Sequence, residues 1–161
     1  MTIRELRPDD WPAVRAIYED GIRSGHATFE TTAPSWEEWD AAHSAVRIVA
    51  EHEGSVAGWA ALSAVSSRCC YEGVGEVSVY VAEAARGAGI GRVLLDELVK
   101  RSEQAGYWTL TAGVLPENEA SLRLHLACGF REVGVRERLG RLHGVWRDVV
   151  FLERRSTLVG T

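Results

Sequence analysis

The sequence predicts an α+β (α/β) domain: a mixed, mostly antiparallel sheet with helices on both faces. Three observations carry this. Strand-period and helix-period segments are interspersed without strict alternation, an order that suits antiparallel pairing. Two apolar strand segments flank Glu53-Gly54-Ser55 as a hairpin. The 161 residues make a single domain, 1–161, long enough for a real core over about 2–154.

Residues 2–7 alternate and read as a strand. "RPDDWPAVRAIYEDGIRSG" gives a helix, with Asp9 or Asp10 as N-cap, Pro12 in the first turn and Gly25 past the end. "HATFETTAP" is a loop, and "SWEEWDAAHS" a short helix with a Ser35…Glu38 capping box. The hairpin covers 46–65. The strand at 76–81 sets Glu76, Ser78 and Tyr80 on one face and Val77, Val79 and Val81 on the other. A helix follows, with inner stripe Ile90, Val93, Leu94 and Leu98, and stops before Gly106. "YWTLTAGV" is a strand, "NEASLRLHLACGF" (118–130) a helix ended by Gly129, and strands near 130–139 and 146–153 close the chain. On the 118–130 helix Asn118, Ser121 and His125 share one face. Ala120, Leu124, Ala127 and Cys128 share another, the natural core side.

The net charge of −5 and the lack of a Lys/Arg-rich run argue against nucleic acid as a partner. The basic residues of "REVGVRERLGRLHGVWRD" are interleaved with acids and read as a solvated strand surface. Cys69, Cys70 and Cys128 fit neither a disulfide framework nor zinc spacing, and His26, His43, His52 and His143 share no metal-ligand spacing. No metal is expected. "MTIRELRPDDW" has no apolar leader and no apolar run approaches a membrane span, so the expectation is a cytoplasmic protein without membrane contact.

The strand at 76–81 runs into Gly87-Ala88-Gly89-Ile90-Gly91 and then a helix. Glycines there let backbone N–H groups converge, and the first amides of a helix, at the positive end of its dipole, suit a phosphate. Arg86 adds a charge-assisted donor. A plain glycine-rich turn is the alternative. A Walker loop is excluded because Gly91 is followed by Arg92-Val93, and the GxGxG spacing is not a dinucleotide fingerprint.

Arg86-Gly87-Ala88-Gly89-Ile90-Gly91 resembles the R-x-x-G-x-G pyrophosphate loop of the GNAT N-acetyltransferases, and "NEASLRLHLACGF" resembles that family's N-x-x-S-x-x-L-[YH]-x-x-x-G-F helix. "FET" (29–31), "EVSVYV" (76–81) and "GRLHGVWRDVV" (140–150) are similar to its phosphinothricin-acetyltransferase branch, which acetylates glutamate-like amines such as phosphinothricin and methionine sulfoximine. The resemblance implies a seven-stranded twisted sheet with about four helices, splayed at its central strands, and acetyl-CoA as co-substrate. By the same resemblance, backbone groups of Val79, Tyr80 and Val81 hold the thioester carbonyl and pantetheine. Residues 86–91 hold the pyrophosphate, and Asn118 and Ser121 lie along the cofactor.

Amide formation needs a neutral amine, and a lysine-like ammonium of pKa ~10.4 is neutral only about once in a few thousand at pH 7. Glu76 matches the branch glutamate and is the candidate general base, with a surface salt bridge as the plainer reading. His125 stands where many of these enzymes carry a thiolate-protonating tyrosine and is the candidate acid. Its plainer reading is a helix histidine bonded to a neighbouring carbonyl. Phe29, Glu30, Tyr71 and Glu72 are the candidate acceptor contacts. Glu72 stands where the branch has a basic residue, so a carboxylate-bearing acceptor needs Arg68 or another arginine. The expected activity is acetylation of a small amino-acid-like amine, arsinothricin included, by a homodimer paired through the C-terminal strands with Trp146. Rival readings are acetylation of protein N-termini or polyamines, and an acetyl-CoA-binding module without turnover.

Overall fold

The computed structural model describes residues 1–161. In chain order the elements are β1 (Thr2–Glu5), α1 (Trp11–Ser24), α2 (Trp36–Ala42), β2 (Arg47–His52), β3 (Ser55–Ala64), β4 (Val74–Val81), α3 (Ile90–Gln104), β5 (Thr109–Val114), α4 (Glu119–Ala127), β6 (Arg131–Leu142) and β7 (Val145–Arg155). One seven-stranded sheet runs β1-β2-β3-β4-β5-β7-β6, and only the β4–β5 pairing is parallel. The mostly antiparallel α/β architecture expected from the sequence is the one observed.

Strand alternation sorts the core into two layers. Ile48, Leu62, Leu110 and Leu152 pack with Ile90, Leu94 and Leu98 of α3. On the opposite face Val49 and Trp59 pack with Val14 and Ile17 of α1 and Trp39 of α2. Asp10 stands before α1 as expected, but its carboxylate is turned away from the helix. It accepts from both terminal nitrogens of Arg4 at 2.8 Å and from the Arg7 N–H at 2.7 Å, while Arg4 also grips Glu51 of β2. Gly25 ends α1 at φ 75, the left-handed conformation that glycine adopts without strain. Ser35 Oγ accepts from the Glu38 N–H at 3.2 Å, which gives half of the expected capping box.

Two expected faces are corrected. In α3 Val93 is exposed and Leu95 fully buried, because Leu95, Val99 and Ser102 move the centre of the inner stripe away from Val93. In α4 the expected core side holds for Cys128, which is buried, and Leu124, which packs against the core, but Ala120 and Ala127 face solvent. The polar face also turns inward: His125 is buried, edge-on to Phe130, and Asn118 and Ser121 are half-buried.

An opening in the sheet lies beside β4. Its ladder to β5 consists of Val74–Thr109, Gly75–Leu110 and Glu76–Thr111, and then ends although the strands run on to Val81 and Val114. The ladder from β4 to β3 continues without a register shift, so β5 diverges from an otherwise regular β4. A second irregularity lies in β6. Between the pairs Arg136–Val149 and Gly140–Arg147, residues 137–139 face Asp148 alone. Arg138 takes φ 44 in this bulge, and its N–H donates to Asp148 Oδ1 at 2.8 Å.

Candidate active site

The divergence of β4 from β5 opens a cavity of about 1480 Å³ that runs from the N-terminus of α3 to the loop between α1 and α2. A shallower groove of about 590 Å³ between the β1–β2 edge and the end of α3 lies apart from it and gathers none of the residues discussed below.

At one end is the glycine loop. Gly87 and Gly89 take φ 80 and 79, and Gly89 is the left-handed N-cap of α3. The first amide of α3 to find a backbone acceptor is that of Val93, bonded to Gly89 O; none of the N–H groups from Gly87 to Arg92 donates to a main-chain carbonyl. Six consecutive bare amides at a helix start form an anion cradle. Gly91 lets α4 pack close: a Cβ there would lie 3.3 Å from the Leu124 side chain. Arg86, Gly87, Gly89, Ile90 and Gly91 line the cavity, whereas Ala88 faces solvent and contributes only its amide.

In the middle, the β5-facing edge of β4 beyond Glu76 has no strand partner. Val79, Tyr80 and Val81 lie on this segment and line the cavity, as do Asn118, Ser121 and His125 from α4. Asn118 accepts the Ser121 N–H at 3.2 Å and so caps α4. His125 Nδ1 lies 2.7 Å from the Ser121 carbonyl oxygen. A carbonyl only accepts, so Nδ1 carries the proton and Nε2 is left as a lone pair. Burial holds this imidazole below the usual histidine range, with the Ser121 bond opposing only in part. A neutral imidazole bonded in this way accepts at Nε2, whereas the acid role needs a proton there.

Beyond the gap lies the face of Glu76, Ser78 and Tyr80. Tyr80 stacks on Trp59 at 4.8 Å and meets Tyr18 at 5.1 Å. Gly21 of α1 makes room for its ring, since a Cβ there would be 2.7 Å away. Glu76 opens onto the cavity, where water reaches it, yet the enclosing walls push its carboxyl above the usual range and the Arg136 guanidinium offsets part of that. Phe29 and Glu30 form the far wall, Phe29 lying flat on Gly140, where a Cβ would come within 3.0 Å of its ring. Tyr71 and Glu72 are absent from the cavity wall. Gly73 is pinned on Trp108, whose amide donates to Gly73 O at 2.8 Å, and this holds the preceding turn at the closed end of the β4–β5 ladder. Arg68 lies over Tyr71 at 5.4 Å, outside the site as well.

Two arginines read from sequence as solvated surface belong here. Arg147 donates to the Gly25 carbonyl, His26 Nδ1 and Glu117, tying the acceptor-side loop to β7. Arg136 lines the cavity on the Glu76 side. No group of three His, Cys, Asp or Glu side chains converges as a metal site would.

A bare-amide loop, an unzipped strand edge and a carboxylate thus open on one cavity. Residues 3–130 match the profile of the Acetyltransferase (GNAT) family. The chain belongs to this family. It is 39% identical over 160 residues to the phosphinothricin N-acetyltransferase of Alcaligenes faecalis, covering 95% of this chain and 81% of that protein. It is 31% identical to the L-methionine sulfoximine/L-methionine sulfone acetyltransferase of Salmonella typhimurium LT2, covering 95% and 93%. Among solved structures, a phosphinothricin acetyltransferase from Sinorhizobium meliloti in complex with acetyl-CoA superposes with TM-score 0.90 at 33% identity, over 99% of this chain and 90% of that one. A ribosomal-protein-alanine N-acetyltransferase from Brucella melitensis superposes with TM-score 0.89 at 34% identity, over 97% and 100%. The GNAT resemblance read from the glycine loop and α4 is borne out, and the chain is an acetyltransferase of that family.

Proposed function

We propose that this GNAT acetyltransferase moves the acetyl group of acetyl-CoA to the amino group of a small amino-acid-like acceptor of the phosphinothricin, methionine sulfoximine or arsinothricin type, with Glu76 as general base. One observation carries the reading: β4 parts from β5 immediately after Glu76, so the carboxylate stands where an acyl group held on the freed strand edge meets an amine. The names of the relatives from Alcaligenes faecalis and Salmonella typhimurium supply the acceptor class.

Acetyl-CoA brings the acetyl group as an activated thioester. The amides of residues 87–92 and Arg86 would hold its diphosphate, and the free edge at Val79–Val81 its carbonyl and pantetheine amides, as fixed dipoles that need no reorganisation. Glu76 takes one proton from the acceptor ammonium, and the freed lone pair attacks the carbonyl carbon as the C–S bond breaks. The nitrogen must lose a second proton to become an amide. The uncharged His125 has none to give from Nε2, so the departing thiolate takes that second proton from the nitrogen itself. Donation by His125 would need an imidazolium, which its burial disfavours.

The test is CoA thiol release with phosphinothricin, methionine sulfoximine, arsinothricin, spermidine and an alanine-led peptide as acceptors. Release with the first three alone supports the reading. Release with the peptide would favour the ribosomal-protein activity named for the Brucella structure. Thermal stabilisation by acetyl-CoA without release would favour a binding module. We also propose a homodimer through the exposed Val133, Val135, Leu139, Val145 and Trp146 of β6 and β7, which light scattering on the eluting protein tests. No helix is long and apolar enough to cross a membrane, and we place the protein in the cytoplasm.

A further inference from the structure

We propose that Arg136 is the carboxylate anchor of the acceptor half, so that the site selects α-amino acids over amines that lack a carboxylate. The inference rests on the acetyltransferase reading above and names the residue that sets acceptor choice.

Three arginines line the cavity, Arg86, Arg92 and Arg136. Arg86 belongs to the glycine loop, and Arg92 is paired with Asp96 along α3. Arg136 is the arginine of the acceptor side, and no carboxylate or carbonyl within the protein engages it, whereas Arg4, Arg47, Arg131, Arg147 and Arg154 all hold acids. Its guanidinium carbon sits 4.4 Å from the centre of the Phe151 ring. Stacked in this way, a guanidinium keeps its N–H edge free for a bidentate carboxylate.

The backbone fixes which face of the sheet carries Arg136. Arg136 pairs with Val149 and Gly134 with Phe151, on strands whose ladder continues through Thr111 to Glu76 on the same face of the sheet. The bulge begins one residue later, at 137–139. Arg138 is clasped there by Asp148, so the chain turns away while Arg136 keeps the regular register. Arg136 is exposed toward the cavity, which Leu139, within the bulge, and Phe29, pressed on Gly140, also line. The positions from which acceptor charge was expected to be read, Tyr71 and Glu72, do not reach the cavity. Glu30 and Glu76 make the remaining wall anionic, which suits the ammonium end of an amino acid. Arg136 makes the pocket two-signed, fitted to a zwitterion and not to a polyamine. Its charge also reaches Glu76, whose carboxyl it lowers against the effect of burial.

The experiment compares L-methionine sulfone with its decarboxylated amine, using the wild type, Arg136→Gln and Arg136→Lys. Thiol release gives kcat and KM for each. Calorimetric titration of each compound into protein saturated with CoA gives affinity without turnover. In Arg136→Gln the Kd for the sulfone rises about 10–100-fold, the worth of a lost charge-assisted hydrogen bond. The Kd of the decarboxylated amine changes far less, so the affinity ratio of the two compounds falls toward one, and Arg136→Lys falls between. An equal loss for both compounds, or unchanged sulfone affinity, overturns the proposal. If Arg136→Gln misfolds, the Arg136→Lys ratio decides. Should the wild type release no thiol, the acetyltransferase reading fails, and the titrations still decide the anchor. Turnover with unaltered selectivity in the variants would remove the anchor and leave the acetyltransferase reading standing.

Discussion

Glu76→Gln keeps the shape of the side chain and removes its charge. Glu76 is the last residue before the β4–β5 fork, and its side chain lies on the opposite face of β4 from those of Val77, Val79 and Val81, while the bare amides begin at Gly87. The substitution therefore leaves the acetyl-CoA cradle untouched, and the KM for acetyl-CoA is expected to stay within about twofold. On the proposed mechanism the loss is that of a general base, worth about 10²–10⁴-fold in rate. Burial holds the Glu76 carboxyl above the usual carboxylate range, with Arg136 opposing in part. The charged form is the active one, so wild-type kcat/KM falls as pH drops through this raised value. Arg136 on β6, which faces the carboxylate, keeps that limb lower than burial alone would set it. Thiol release measured from acid to alkaline pH should show the wild-type acid limb disappear in Glu76→Gln, and the deficit narrow near pH ~10, where a lysine-like amine is neutral unaided. Equal turnover of the two proteins at neutral pH would refute the assignment.

Other variants probe the frame. Gly89→Ala forces a side chain into φ 79, with no steric neighbour to complicate the result, and should cost about 1–2 kcal/mol in urea unfolding and weaken acetyl-CoA in a calorimetric titration. Gly21→Ala puts a methyl against the Tyr80 ring and should destabilise by about 1–3 kcal/mol, raising the acceptor KM more than that of acetyl-CoA. Asp10 is held below its usual range chiefly by its hydrogen bonds from Arg4, so its contribution is full above about pH 3.9 and is lost as pH falls through the depressed value. Asp10→Asn should flatten that acid-side slope in unfolding titrations run at a series of pH values.

The parts of the site legible in the sequence are those fixed by local chemistry. Three glycines ahead of a helix state their own backbone geometry, and Gly25, Ser35 and Asn118 mark ends that the structure keeps. The face of Glu76, Ser78 and Tyr80 followed from period two alone. What stayed hidden depends on partners distant in the chain. The end of the β4–β5 ladder is a relation between two strands more than 30 residues apart, and it turned the polar side of α4 inward. Arg136 sat among alternating acids and bases that looked evenly solvated. Only the pairing with β7 and the bulge at 137–139 separate it from Arg138, two residues on. That Tyr71 and Glu72 do not line the cavity follows the contact of Gly73 with Trp108, which leaves no mark in local sequence.

The short parallel ladder has a consequence for how such a molecule can change. Three residue pairs are all that stitch β1–β4 to β5–β7–β6 along the sheet. The first leaf carries the glycine loop and the unzipped edge, and the second carries Phe151, Arg136 and the bulge. The diphosphate loop and the proposed carboxylate anchor thus sit on opposite sides of that short seam. Substitutions at Arg136 are expected to reach the acceptor without touching the amides ahead of α3.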